Sequence, residues 1–242
     1  PKLRVGNLTP MNSHEEIDIG QNIILIPRIP TLSFGNKHMR TELFANGAYY
    51  HVYNRGIDKR TIFEDQNDYS RFLKSLRLFN STTTNGSGLT KIKATHQSPE
   101  RLIDILSFCL MNNHYHLLVK QLHDDGISKF MHRLGIGFTK YFNIRHERTG
   151  RLFESTFKAK PITTTGQLLN TSGYIHRNPL DLPEINQDLH KLKDYEYSSL
   201  PVYLNRKTCK ITQRNDILAH FTSSDEYFEF MKLPISETKS RK

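Results

Sequence analysis

His114 and His116, one residue apart, are the sharpest chemical signal in this chain. They stand in Leu110-Met111-Asn112-Asn113-His114-Tyr115-His116-Leu117-Leu118-Val119. On a strand, alternate residues share a face, so both imidazoles point one way and Tyr115 the other. Two imidazoles on one face can hold a divalent cation and leave coordination positions open for substrate oxygens. Nitrogen ligands leave Mg2+ and Mn2+ open when phosphate supplies the remaining ligands. The plain alternative is an exposed strand face, because a His-x-His spacing is common by chance. Apolar residues on both sides favour a strand whose other face is buried and which therefore holds the pair rigidly.

A second constellation is Gly173-Tyr174-Ile175-His176-Arg177-Asn178-Pro179. On a helix, Tyr174 and Asn178 lie one turn apart on the same side, and His176 does not share that side. A phenol can act as a nucleophile. A carboxamide oxygen one turn on can serve as a third metal ligand. Pro179 disfavours helical backbone at Asn178, so the last turn is open to distortion. Taken alone, these residues read more simply as a core tyrosine and an asparagine that caps the helix end.

The third feature is basic. Between residues 129 and 160 the cations are Lys129, Arg133, Lys140, Arg145, Arg148, Arg151, Lys158 and Lys160, opposed by Glu147 and Glu154, giving 8 − 2 = +6. Cations neutralise phosphates, and the interleaved Tyr141, Phe142, Phe153 and Phe157 offer faces on which unpaired bases can stack. The aromatics read more simply as the core side of their elements. His51, Asn54 and Arg55, at the end of the first strand, either add polar groups to the same sheet or close a turn.

The whole chain agrees with this charge. Over 242 residues, 34 Lys and Arg against 24 Asp and Glu give +10, with 12 His in reserve. Such a surplus favours a polyanionic partner, nucleic acid before a membrane surface. With 14 Phe and 11 Tyr there is material for a core. Cys109 and Cys209 are too few for a disulfide framework, and Cys109 reads as inert core. The N-terminal run Ile23-Ile24-Leu25-Ile26 ends at Pro27-Arg28, too short for a membrane span or a signal peptide. A cytoplasmic protein is expected. No phosphate-cradling Gly-Lys-Ser/Thr loop is present, so ATP use is not indicated, and Gly135-Ile136-Gly137 lacks the strand context of a dinucleotide site.

The elements that must position these groups follow from periodicity. Residues 1–38 read as an N-terminal extension upstream of a natural start at Met39. A strand is predicted at Ala48–Tyr53, then a helix capped by Asp65 or Asn67 and running to Phe79. Residues 80–99 are a polar loop. Strands at Leu102–Leu110 and His114–Lys120 form a hairpin across Met111-Asn112-Asn113. A long helix spans 126–146, a short strand Phe157–Ile162, and a further helix starts near Thr163-Thr164-Thr165 and stops before Pro179. The order predicts an α+β chain with a ferredoxin-like βαββαβ core and one added helix. The domain reading is 1–38 extension, 39–182 core domain, and 183–242 a peripheral helical tail with a helix near Ser224–Lys232.

Five motifs occur in order: Tyr49-Tyr50-His51-Val52-Tyr53-Asn54-Arg55-Gly56; the His114/His116 strand; Gly150-Arg151-Leu152-Phe153 with Phe157-Lys158-Ala159; Tyr174-Ile175-His176-Arg177-Asn178-Pro179; and Asp194-Tyr195-Glu196-Tyr197-Ser198-Ser199. Together, over about residues 40–205, the chain resembles the REP-associated tyrosine transposases, within the single-tyrosine HUH transposases. The resemblance implies the HUH variant of the ferredoxin-like fold and metal-dependent cleavage of single-stranded DNA. His114 and His116 match the metal ligands, Asn178 the helical residue that completes the site, and Tyr174 the nucleophile. It implies Mg2+ or Mn2+, a 5′-phosphotyrosine intermediate with a free 3′-hydroxyl, and strand transfer without ATP. It further implies single-stranded or hairpin-bearing DNA as substrate, in a bacterial protein held at the nucleoid by that DNA, with homodimer formation left open. The chain departs from the family pattern at Asn112, Ser155-Thr156, Gly173 and Arg177. Two rival readings are a domesticated DNA-binding protein of the same fold that binds repeats without transposing, and a replication-initiator or relaxase-type nickase. Were Tyr174 not the nucleophile, Tyr141 is the next candidate.

Overall fold

The computed structural model describes residues 44–82 and 100–233. The expected extension, Met39, residues 83–99 of the polar loop and the end of the tail lie outside this range. The order is β1 (Tyr49–Arg55), α1 (Gln66–Leu78), β2 (Ile103–Met111), β3 (His114–Gln121), α2 (Gly126–Arg145), β4 (Lys158–Ile162) and α3 (Thr165–Arg177). Four short helices follow: α4 (Leu189–Leu192), α5 (Leu200–Tyr203), α6 (Asn215–Leu218) and α7 (Ser224–Lys232).

The strands form one sheet in the order β2-β3-β1-β4, with every pair antiparallel. That is the ferredoxin-like arrangement predicted from the element order. Helices α1, α3, α4 and α7 begin where a cap side chain accepts from free amides of the first turn, whereas α2, α5 and α6 start without a side-chain cap. Asp65, rather than Asn67, caps α1 by accepting from the amides of Asn67 and Asp68. Among the three consecutive threonines, Thr164 caps α3. The hairpin turn is shorter than expected: Met111 still pairs with His114, leaving only Asn112-Asn113 to turn.

Strand alternation divides the core into two layers. Tyr50 and Val52 of β1 and Tyr115, Leu117 and Val119 of β3 pack against Phe72 and Leu76 of α1 and Phe130, Leu134 and Phe138 of α2. The opposite set, Tyr49 and Leu118, packs against Leu168 and Ile175 of α3. Leu106 joins this second face by alternation from Ile105, and a register shift between Ile105 and Ser107 sends Cys109 and Met111 there as well.

Residues 183–233 do not form a peripheral tail. Ile185, Leu192, Tyr195, Leu200, Tyr203, Ile217, Tyr227 and Met231 are buried with α3 in the second layer. Cys109 also pairs with Ser198, and Ile105 with Thr212, through isolated backbone bridges. The difference has a physical cause. Helices of four residues carry too little periodicity to reveal which side is apolar.

Candidate active site

The β1–β3 register decides which side chains share the second face. Arg55 pairs with His114, and Tyr53 with His116. On the other edge Lys158 pairs with Tyr53, and Lys160 with His51. Directly paired residues project to the same side, so His51, Tyr53, Arg55, His114, His116, Lys158 and Lys160 line one surface. Tyr115, between the histidines, is buried against Phe72 on the other face as alternation requires.

Helix α3 brings the second motif to this surface. Tyr174 is 40% exposed, with its ring centroid 5.5 Å from that of His116 and 5.9 Å from that of His51. Asn178 keeps helical backbone angles (φ −47°, ψ −41°) despite the following proline. It therefore stays one turn beyond Tyr174, and its Nδ2 donates to the Tyr174 carbonyl at 3.2 Å. Its Oδ1 lies 3.3 Å from His114 Nε2. His176 points away from the surface, as its place on the helix predicts, and is fully buried.

Hydrogen bonds define what the two imidazoles can do. Asn113 Nδ2 donates to the Lys59 carbonyl at 3.1 Å, which turns Asn113 Oδ1 to His114 Nδ1 at 2.7 Å. His114 thus meets a carboxamide oxygen at each ring nitrogen. A neutral imidazole has one proton to donate, so one of the two contacts sets lone pair against lone pair. If the shorter contact takes the proton, Nε2 faces Asn178 Oδ1 acceptor to acceptor. Burial lowers the pKa of His114, opposed by Asn178 and reinforced by the Arg55 charge, which favours the neutral ring. A cation between two acceptors removes the conflict. Adjacent ligands of a small divalent ion, each ~2.1 Å from it, stand ~3 Å apart. The donor set of two imidazoles and a carboxamide oxygen fits such an ion. Among the described residues, no group of three or more His, Cys, Asp or Glu offers a metal site.

His116 is 7% exposed, and burial brings its pKa down to about 2, helped by the charges of His51, His114 and Arg55. His51, the residue left ambiguous by sequence, is part of the site: its Nε2 lies 2.8 Å from His116 Nδ1. Burial, with the Lys160 charge, lowers its pKa to about 4. Its position two residues before Tyr53 and four before Arg55 was the available signal, because those three must share a face once Ala48–Tyr53 is read as a strand.

The loop before β4 walls the Arg55 end. Asn54 Nδ2 donates to the carbonyls of Ser155 (2.9 Å) and Thr156 (3.0 Å), and the Leu152 carbonyl accepts from the Ile57 amide. Gly56 allows the tight return of the chain here: a Cβ would lie 2.3 Å from the Arg60 carbonyl oxygen.

The predicted basic groove divides. Arg55, Lys158 and Lys160 flank the histidines. Lys129, Arg133, Lys140 and Arg145 are on α2, in the layer behind the sheet. Arg145 pairs with Asp65 and with buried Asp68, and Arg133 Nη1 donates to the Ser81 carbonyl at 2.7 Å. Arg148 and Arg151 each bond backbone carbonyls of their own loop. Lys140 is exposed, and Lys129 donates to the Asp124 carbonyl. Position in sequence grouped these cations; the sheet separates them.

The antiparallel sheet thus bears the His114/His116 pair on one face, with the exposed Tyr174 of α3 set against it. The profile of the IS200-like transposase family matches residues 45–178, more than half of the chain, and the chain belongs to this family. It is accordingly a DNA-processing enzyme of transposase type. Comparison with curated proteins gives no match. Among solved structures, one of a REP-associated tyrosine transposase bound to a REP hairpin is similar over 74% of this chain and 98% of that one, with 12% identity and a TM-score of 0.47. No helix among the described residues is long and apolar enough to cross a membrane.

Proposed function

We propose that this protein cleaves and rejoins single-stranded DNA at hairpin-bearing ends through a covalent 5′-phosphotyrosine on Tyr174. The observation that carries this reading is the approach of Asn178 Oδ1 to His114 Nε2 at 3.3 Å, with the exposed Tyr174 phenol one helical turn from Asn178.

His114, His116 and Asn178 would hold the divalent ion, Mg2+ or Mn2+. When bound, it supplies Lewis-acid neutralisation of phosphate charge. Tyr174 attacks phosphorus in line. The new bond joins the phenolic oxygen to phosphorus, the bond to the 3′-oxygen breaks, and that oxygen takes a proton from solvent and leaves as a 3′-hydroxyl. The phenolic proton passes to solvent, which reaches the exposed ring. The ester energy stays in the phosphotyrosine, so a 3′-hydroxyl on another strand can reverse the step without ATP. Arg55, Lys158 and Lys160 neutralise phosphates flanking the scissile one, and the half-exposed Tyr53 ring offers a stacking surface for a neighbouring base. Lys129 and Lys140 meet only DNA that extends round to the α2 side.

Labelled single-stranded hairpin DNA, incubated with the protein and Mn2+ and then denatured, tests the reading. A covalent protein–DNA band is expected, and Tyr174→Phe abolishes it. A band that survives Tyr174→Phe overturns the nucleophile. No band at all, with hairpin binding intact, instead supports a DNA-binding protein that has lost cleavage.

A further inference from the structure

The structure assigns His51 a role of its own: we propose that it is a positioning residue, which accepts the Nδ1 proton of His116 and so leaves the lone pair of His116 Nε2 for the cation. This rests on the proposed metal site at His114, His116 and Asn178.

His51 and Tyr53 project from β1 to the same face. Tyr53 is the direct cross-strand partner of His116, which places His51 diagonally across from it. The two imidazoles lie 5.0 Å apart between centroids, 30° from parallel, and His51 Nε2 approaches His116 Nδ1 to 2.8 Å. One proton occupies that contact. If His51 donates it, His116 must carry its own proton on Nε2 and cannot ligate. If His116 donates it, Nε2 is free. Only the second arrangement agrees with a metal site, and it fixes both tautomers.

Metal-bound histidines generally donate their second ring nitrogen to a carboxylate, a carbonyl or water, which sets the tautomer and the ring orientation. Here Asn113 does this for His114, and His51 takes the corresponding place for His116. A neutral imidazole accepts the proton without adding a negative charge. A carboxylate there would repel the phosphate that must approach the same surface.

The test uses the full chain labelled with 15N-histidine. In the metal-free protein near neutral pH, the ring 15N shifts of His116 should report the Nδ1–H tautomer. His51→Phe, which cannot accept, should move His116 toward the Nε2–H form. The same variant should weaken Mn2+ binding, read by electron paramagnetic resonance, by ~10–100-fold. His51→Gln, whose carboxamide oxygen can accept the same proton, should bind Mn2+ within about threefold of the parent. An Nε2–H tautomer at His116 in the parent protein overturns the inference, even if His51→Phe fails to fold. So does unchanged Mn2+ affinity in a folded His51→Phe. His116→Ala separates the two claims. If it also binds Mn2+ normally, the metal site itself is wrong; if it loses Mn2+ while His51→Phe keeps it, only the role of His51 falls.

Discussion

His176 Nε2 lies 2.7 Å from Ser199 Oγ in the protein interior, and this contact fastens the tyrosine helix to the sheet. Ser199 Oγ also accepts from the Phe108 amide of β2 at 2.8 Å. The other nitrogen of His176 meets the Tyr227 hydroxyl at 2.6 Å, which reaches Ser172 on the same helix at 2.8 Å. Two motifs distant in sequence thus form one buried network that sets where Tyr174 stands. Ser199→Ala leaves the buried Phe108 amide and one nitrogen of His176 without this partner. It should cost about 1–3 kcal/mol, since a buried donor left unpaired costs about that much. Urea unfolding measures it, and a loss below a few tenths of a kcal/mol would show that the network does not anchor α3.

The same histidine sets a pH dependence. Burial lowers the pKa of His176 to about 3, against ~6.5 for a free histidine. Above pH ~6.5 the ring is neutral whether the chain is folded or not, and it adds no pH dependence to folding. Below that, the unfolded chain binds a proton that the folded one refuses, so stability falls as pH drops from ~6.5 toward 3, by up to about 1.4 kcal/mol per pH unit for one group. His51 and His116, also lowered by burial, act in the same direction in the metal-free protein. The urea midpoint of the metal-free protein should therefore decline steadily between about pH 6.5 and about pH 4.5. A flat profile would mean that these rings are not held neutral.

Asp68 is the anchor on the other face. Its buried carboxylate accepts from the Glu64 amide at 2.9 Å and from Arg145 Nη1 at 2.6 Å, with His146 Nε2 at 3.1 Å. Asp68→Ala leaves the Glu64 amide without this partner and takes one of two carboxylates from Arg145, which stays partly exposed and paired with Asp65, so it should destabilise by about 1–3 kcal/mol. Calorimetry checks this; a shift of melting temperature under about 2 °C would contradict it.

The division of the cations makes a separate forecast. Arg55→Ala, Lys158→Ala and Lys160→Ala should each weaken binding to single-stranded DNA. Taking one cation away from a DNA phosphate should also reduce the steepness of the salt dependence by about 0.7 in log–log slope. Arg133→Ala and Arg145→Ala should lower thermal stability and leave that slope nearly unchanged, because their guanidinium groups are occupied by protein oxygens. Fluorescence anisotropy over a salt series decides it, and a slope reduced equally by both groups would return the α2 cations to the binding surface.

Sequence alone determined what is local. Apolar alternation and helical spacing set out the order of β1 to α3, because side-chain direction in a strand or helix depends only on position along it. The same rule put His114 and His116 on one face, Tyr115 on the other, and Tyr174 and Asn178 on one side of their helix. Tertiary structure decided what depends on register and on contacts distant in sequence. The pairing of Tyr53 with His116 brought His51 into the site, although 65 residues separate the two histidines. The crossover of α2 behind the sheet took Arg133 and Arg145 away from the cations of β1 and β4, which a count of charge along the chain cannot foresee. Burial of 183–233 against α3 came from short helices whose apolar sides exist only once the sheet is there to meet them.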